Sequence, residues 1–217
     1  MHFISIMLQY VAKRRLYEEW RKLSIALTEL HQCTKEERSH LPPVIAQQLL
    51  ISGEDHRFFR HCGFDVIAIC RAIWRRIVYG VVEGASTIEQ QLVRVLTGNY
   101  ERTFKRKIKE ILLATLVTTA VPKKDIPVLY LYVGYFGWRM NSFRQACTQL
   151  YLQPNKITLR QAAELVARLK YPQPHKISQK RLMEIQRRAY HLIRLHQQHT
   201  LDSTYVGLEL RINHASV

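Results

Sequence analysis

The chain has 217 residues, with 33 Lys+Arg against 17 Asp+Glu and a formal net charge of +16 at pH 7. At roughly 150 residues per domain this allows one domain, or one with a small appendage; a 47% hydrophobic share with only 8 Gly and 7 Pro excludes disordered, collagen-like and low-complexity classes. Cys33, Cys62, Cys70 and Cys147 are too scattered for a disulfide framework and form no CxxC pair for zinc, while the charge calls for a polyanionic partner: nucleic acid, anionic lipid headgroups or a phosphorylated substrate.

No stretch reaches the about 20 mostly apolar residues of a transmembrane helix. The segment from Phe3 to Ala12 is interrupted by Gln9 and stops at Lys13-Arg14-Arg15. A signal peptide has the reverse order, with basic residues first. The segment is expected to be the first helix of the fold, with a short interfacial anchor as the alternative. Leu16, Trp20, Leu23, Leu27 and Leu30 then recur at helical spacing. Val66, Ile69, Cys70, Ile73, Trp74 and Ile77 form a second stripe behind Asp65, a candidate N-cap, with Arg71, Arg75 and Arg76 off the stripe. Ser86-Thr87-Ile88-Glu89 reads as a capping box that opens a third helix at Ser86. A fourth helix is expected from about Thr103 to Val121, before Pro122, and Pro127 suits the first turn of a fifth. Thr158-Leu159-Arg160-Gln161 is another capping box, for a helix ending before Pro172, and Ser178 caps a last basic helix to about His196. In the tail, Val206, Leu208, Leu210 and Ile212 alternate with Gly207, Glu209 and Arg211, the period of a short edge strand, the alternative being a loose end. The chain therefore reads as one all-α domain.

Three clusters have the residue types of chemistry. The run from Gly53 to Asp65 sets adjacent carboxylates, Glu54 and Asp55, beside His56, His61 and aromatics; this suits a general base, or a solvated, salt-bridged helix end. The run from Glu83 to Arg94 turns through Gly84-Ala85-Ser86 into a helix start, which suits a phosphate, or is an ordinary helix opening. In the run from Arg102 to Glu110, Arg102, Arg106 and Glu110 repeat every four residues and Lys107 precedes Glu110 by three. Cations braced by one carboxylate make a diphosphate cradle, or an ordinary basic helix face.

Taken together, the clusters resemble the motifs of the peptidoglycan glycosyltransferase family, the glycan-polymerising domain of penicillin-binding proteins and of monofunctional transglycosylases. Glu54-Asp55-His56-Arg57-Phe58-Phe59-Arg60-His61-Cys62-Gly63 matches the family's Glu-Asp-x-x-Phe-x-x-His-x-Gly. Gly84-Ala85-Ser86-Thr87-Ile88-Glu89-Gln90-Gln91-Leu92 matches Gly-x-Ser-Thr-Ile-x-Gln-Gln-Leu, and Arg106-Lys107-Ile108-Lys109-Glu110 matches Arg-Lys-x-x-Glu. Tyr130-Leu131, Tyr135-Phe136-Gly137 and Ala163-Glu164-Leu165 to Pro172 fit the fourth and fifth motifs more faintly. The fourth is worn: Val128 stands for the usual Glu, Tyr132 for Asn, and Trp138-Arg139-Met140-Asn141-Ser142 for the Gly-rich stretch. Arg94 and Val95 replace the usual Lys and Asn after the paired glutamines, and the family's N-terminal membrane helix is not seen.

The resemblance implies an all-α, lysozyme-like, two-lobed fold with a substrate cleft. The expected division is an N-terminal helical segment (1–40), the glycosyltransferase domain (41–198) and a tail (199–217). It implies polymerisation of lipid II into β-1,4 glycan, with inversion at the anomeric carbon. Glu54 would be the general base and Glu110 the second catalytic carboxylate, orienting cations or a divalent ion, Mg or Mn. Arg94, Arg102, Arg106 and Lys107 would hold the diphosphate, while Asp55, Phe58, His61, Thr87 and Gln91 line the cleft. Ser86 is expected to cap its helix. The implied partners are lipid II, the growing glycan on its polyprenyl diphosphate, an anionic membrane surface and other cell-wall synthesis proteins. The implied location is the periplasmic face of the cytoplasmic membrane. The apolar face between Phe64 and Val82, flanked by arginines, suits insertion into the lipid interface or packing on a core. The alternatives are a non-catalytic lipid II-binding adaptor on the same fold, motivated by the worn fourth motif, and a basic nucleic-acid-binding protein, which lacks a recognised reading motif.

Overall fold

The computed structural model describes residues 2–37 and 40–209. Among the described residues there are eleven α-helices and no strand, only isolated bridges from Gly137 to Met140 and to Gln173. The all-α expectation therefore holds. The chain forms two compact units, one of residues 1–29 with 57–123, the other of residues 30–56 with 124–217.

In the first unit, α1 (His2–Arg15) and α5 (Ile88–Thr97) both pack on α6 (Phe104–Ala120). The core is built from Ala12, Leu16, Leu23, Leu27, Phe58, Ile88, Leu92, Leu116 and Val117. Leu23 and Leu27 come from α2 (Tyr17–Glu36), whose helical stripe the spacing predicts. Helix α6 starts where expected: Thr103 caps it, its hydroxyl accepting from the Arg106 N–H at 3.2 Å. Helix α4 (Val66–Tyr79) is capped by Asp65, which accepts from the N–H groups of Ile67 and Ala68. No residue of α4 is buried, and Ile73, Trp74 and Ile77 are 54, 56 and 77% exposed. Its apolar stripe is thus an open surface rather than part of a core.

In the second unit, α3 (Val44–Glu54) packs against α7 (Ile126–Val133), α9 (Leu159–Lys170) and α10 (Gln179–Leu201). Pro43 gives α3 no side-chain cap, so burial has to hold the helix. Leu49, Leu50 and Ile51 are fully buried, each worth about 1.5–3 kcal/mol. Helix α9 has the predicted capping box between Thr158 and Gln161, and α8 (Phe143–Gln149) packs on α7.

Three boundaries differ from the sequence expectation. Helix α5 is capped by Thr87, not Ser86: Thr87 Oγ1 accepts from the Gln90 N–H at 3.3 Å, while Glu89, the residue a Ser86 box needs, is drawn into a buried ion pair. Helix α10 runs past His196 to Leu201. The tail is not a strand over Val206–Glu209, which form a short helix, α11, pinned by burial of Tyr205 and Leu208 on one side; a helical turn puts both in the core, where alternation would separate them. Leu210 and Ile212 lie outside the described residues.

Gly63 has φ +86°, and a Cβ there would meet the Ala114 carbonyl oxygen at 2.4 Å. Gly63→Ala is expected to destabilise the protein by about 1–3 kcal/mol. Urea unfolding measures this, and an unchanged midpoint would show that the turn can relax.

Candidate active site

The later part of the first sequence motif, from Arg57 to Gly63, meets the second and third motifs in the first unit. The Gly63 carbonyl, at the end of the first motif, accepts from Thr87 Oγ1 at 2.8 Å and from Gln90 Nε2 at 3.2 Å. The same Gln90 amide accepts through Oε1 from Lys107 Nζ at 2.5 Å. An ammonium can only donate and a carbonyl can only accept, so these two partners fix which end of the amide faces which. Gln90 is fully buried, and its amide ties the first motif to the third.

Lys107 Nζ also donates to Ser86 Oγ at 2.7 Å and to Glu110 Oε1 at 3.2 Å. Arg94 grips both oxygens of Glu110, through Nη2 to Oε1 at 2.9 Å and Nε to Oε2 at 3.1 Å. Arg106, one turn before Glu110 on α6, donates to Oε2 as well and to the Glu101 carbonyl. Three cations therefore surround one carboxylate that is only 3% exposed. The cluster keeps an excess of positive charge at a partly open surface, the arrangement that a diphosphate neutralises. Burial, aided by Arg94 and Arg106, lowers the Lys107 pKa below 10.5, while Glu110 opposes that shift. Arg94, Arg106 and Glu110 also line a 310 Å³ cavity with Leu23, Leu96 and Leu113. A divalent ion does not fit at Glu110, because guanidinium and ammonium groups already occupy both of its oxygens.

A second knot holds the first motif's turn. Glu89 is completely buried and paired with Lys123. Lys123 Nζ donates to the His61 carbonyl at 2.9 Å and stands 4.2 Å from the centre of the Phe58 ring. His61 meets Phe58 edge-on, with centroids 6.2 Å apart.

In the second unit, Glu54 ends α3. Arg188 of α10 donates from Nη2 to Glu54 Oε1 at 2.9 Å and to the Gly53 carbonyl at 2.7 Å. A Cβ at position 53 would stand 2.2 Å from Leu192 Cδ2 and 2.9 Å from Arg188 Nη2, so any larger residue would have to push these side chains from their seat. Asp55 follows as the buried C-cap of α3.

Of the residues singled out in the sequence, Arg94, Arg106, Lys107 and Glu110 thus gather at one place. Arg102 does not: α6 begins at Phe104, so Arg102 precedes the helix and is exposed outside the cluster. Phe58 is wholly buried and Thr87 nearly so, which makes both supports of the motif's turn rather than surfaces for a ligand. Ser86 is not a cap but a partner of Lys107. Gln91 is half-buried on α5. Sequence reasoning missed Gln90 as the connecting group, Lys123 and Arg188. Gln90 sits inside a recognised motif, whereas Arg188 is 134 residues from Glu54 with no local signal. The worn fourth motif still folds: Val128 is buried in α7, and Tyr132 donates to Glu37 Oε2 at 2.8 Å. Burial, then that hydrogen bond, pushes the Tyr132 hydroxyl up to about 12.

The family model described as Transglycosylase matches residues 25–196. Penicillin-binding protein 1A of Neisseria gonorrhoeae is 38% identical over 133 residues, covering 60% of this chain and 16% of that protein. The corresponding protein of Neisseria flavescens is 37% identical over 132 residues. The monofunctional glycosyltransferase of Staphylococcus aureus (strain JH9) is 31% identical over 170 residues, covering 75% of this chain and 63% of that one. The chain thus spans about one sixth of the length of the penicillin-binding proteins it matches and less than two thirds of the monofunctional enzyme.

Glu110 holds the Lys107 pKa up against burial and the two arginines. In Glu110→Gln, Lys107 is therefore expected to lose its proton at lower pH than in the wild type. An NMR titration of the Lys107 side chain measures this, and a midpoint that stays put or rises would contradict the cluster.

Proposed function

Since the chain belongs to the transglycosylase family, with its all-α, lysozyme-like fold, we propose that it is a peptidoglycan glycosyltransferase that polymerises lipid II into β-1,4 glycan. The observation that carries this reading is the grip of Arg94, Arg106 and Lys107 on the single buried carboxylate of Glu110. These cations would receive the diphosphate of the donor, the growing glycan on its polyprenyl carrier.

In the proposed reaction Glu54 takes the proton from the C4 hydroxyl of an acceptor lipid II. The hydroxyl oxygen bonds to the anomeric carbon of the donor from the face opposite the leaving group. The bond from that carbon to the diphosphate oxygen breaks, and its electron pair leaves with the diphosphate, whose charge Arg94, Arg106 and Lys107 neutralise. The configuration inverts. Arg188 holds one oxygen of Glu54 and so sets the direction in which the carboxylate is presented. By the family resemblance Asp55, His61 and Gln91 would complete the substrate-binding set, Asp55 and His61 from largely buried positions, while Phe58 and Thr87 support the motif's turn.

The open face of α4 supports action at a lipid surface. Among the described residues no helix is long and apolar enough to cross a membrane. Trp74, Ile77 and Val78 are exposed, and Arg71 and Arg75 are paired with Glu83 at 3.3 and 3.0 Å beside them. An amphipathic helix of this kind lies in the headgroup region. The reading places the protein peripherally on the outer face of the cytoplasmic membrane, where other cell-wall synthesis proteins would be its neighbours.

Glu54→Gln is expected to slow lipid II polymerisation by about 10²–10⁴-fold, with the thermal unfolding curve nearly unchanged. Polymerisation by the variant at the wild-type rate would refute Glu54 as base, whereas lipid II binding without turnover by the wild type would identify an adaptor. Trp74→Asp with Ile77→Asp is expected to weaken binding to phosphatidylglycerol vesicles at least about tenfold without loss of fold, because neither side chain is buried. Sedimentation with vesicles reads this directly.

A further inference from the structure

Besides Arg188, the residues around Glu54 are held by a segment, from His196 to Tyr205, of which all but the first residue lies beyond the family match ending at residue 196. After α10 the backbone turns through Ser203, at φ +53°, and brings Tyr205 back to the helix. Tyr205 is 2% exposed, and its hydroxyl bonds both Ser52 Oγ and His196 Nδ1, the latter at 3.0 Å. His199 Nδ1 closes on the same Ser52 Oγ at 3.1 Å. The His199 ring also stacks on His56, with centroids 5.6 Å apart and planes 17° from parallel. Ser52 and His56 are the residues two before and two after Glu54. Arg188, on the same helix as His196 and His199, holds Gly53 and Glu54 between them.

The hydrogen bonds form a line of four atoms: His196 Nδ1, Tyr205 Oη, Ser52 Oγ and His199 Nδ1. Three bonds need three protons, and the two hydroxyls supply two. At least one imidazole Nδ1 must therefore donate; when the other accepts, as a neutral ring, every proton of the line is used, whereas two donating imidazoles leave one buried hydroxyl proton without a bond in it. Burial favours the neutral ring, lowering the pKa of His196 and, together with His56 and His196 against Asp202, that of His199. It also raises the Tyr205 hydroxyl, against the opposing bond to Ser52. All four groups are satisfied as neutral species, so the line is a rigid strut.

We propose that the segment from His196 to Tyr205 is a clamp whose His196–Tyr205–Ser52–His199 line positions the last turn of α3 and with it Glu54. These are positioning residues: they act through Ser52 and His56 rather than on substrate. The proposal rests on the reading of Glu54 as general base and adds the device that aims it.

The test uses the full chain with Tyr205→Phe, Ser52→Ala and the double variant. Tyr205→Phe keeps the buried ring and removes only the shared hydroxyl. Each single variant is expected to lower kcat for lipid II polymerisation by about ten- to hundredfold, with KM within about twofold. The double variant should lose no more than the weaker single one, since breaking either link opens the same line. Hydrogen exchange at residues 52–56 should speed up in all three. Wild-type kcat in both single variants would overturn the clamp, as would losses that multiply in the double variant. Wild-type protein that makes no glycan would overturn the transferase reading instead; in that event unchanged exchange at residues 52–56 would overturn the clamp as well, and faster exchange would uphold its structural part.

Discussion

The first unit is organised around one buried amide. Gln90 has no exposed surface, and an unmet amide in a core costs about 1–3 kcal/mol per group. It must therefore find both an acceptor and a donor inside the protein. It finds the Gly63 carbonyl and the Lys107 ammonium. Those two bonds join the turn of the first motif, the start of α5 and the first turns of α6. Everything downstream depends on this: Lys107 is set against Glu110, Glu110 collects Arg94 and Arg106, and a concentration of positive charge forms where helix starts and a partly open surface meet. The desolvation cost of Glu110 is met by three charged donors, and that of the donors by one another's incomplete burial, which leaves room for a further anion.

The second unit solves a different problem. Helix α3 is apolar on nearly every side and lacks a side-chain cap, so its placement comes from packing against α7, α9 and α10. Its last turn then emerges with Gly53 and Glu54, where packing alone would leave a polar helix end loosely held. Arg188, and the hydrogen-bonded line through Ser52 and Tyr205, supply directional bonds at that point. Apolar burial sets where the helix lies, and hydrogen bonds set where its terminal carboxylate points.

Helix α4 shows how the same residues serve opposite ends depending on context. Its apolar spacing is that of a core helix, yet its side chains remain open. Asp65 and Gly80 terminate it cleanly, and Glu83 ties down Arg71 and Arg75, so local interactions stabilise it without burial of its stripe. Such a helix keeps an open apolar face without depending on its burial, as the proposed action at a lipid surface requires.

Most of the helices were legible in the sequence, because caps, prolines and apolar spacing act within a few residues of one another. Asp65, Thr103, Thr158 and Ser178 all cap where their local pattern places them. The grouping of Arg106, Lys107 and Glu110 was legible for the same reason, being one turn of one helix, and the three motifs pointed to the family. The slip from Ser86 to Thr87 was not, since two candidate caps stand side by side there and only the burial of Glu89 against Lys123 chooses between them. Arg102 looked equivalent to Arg106 by spacing until the helix proved to start after it. The tail alternated like a strand over the seven residues from Val206 to Ile212, but so short a pattern does not fix its period when Tyr205 and Leu208 both seek a core. What only the tertiary structure decided were the long-range bonds: Gln90 to Lys107, Lys123 to Glu89 and Arg188 to Glu54. Local sequence carries the free energy of turns and caps, whereas a buried polar group takes whichever partner the packed helices bring within reach.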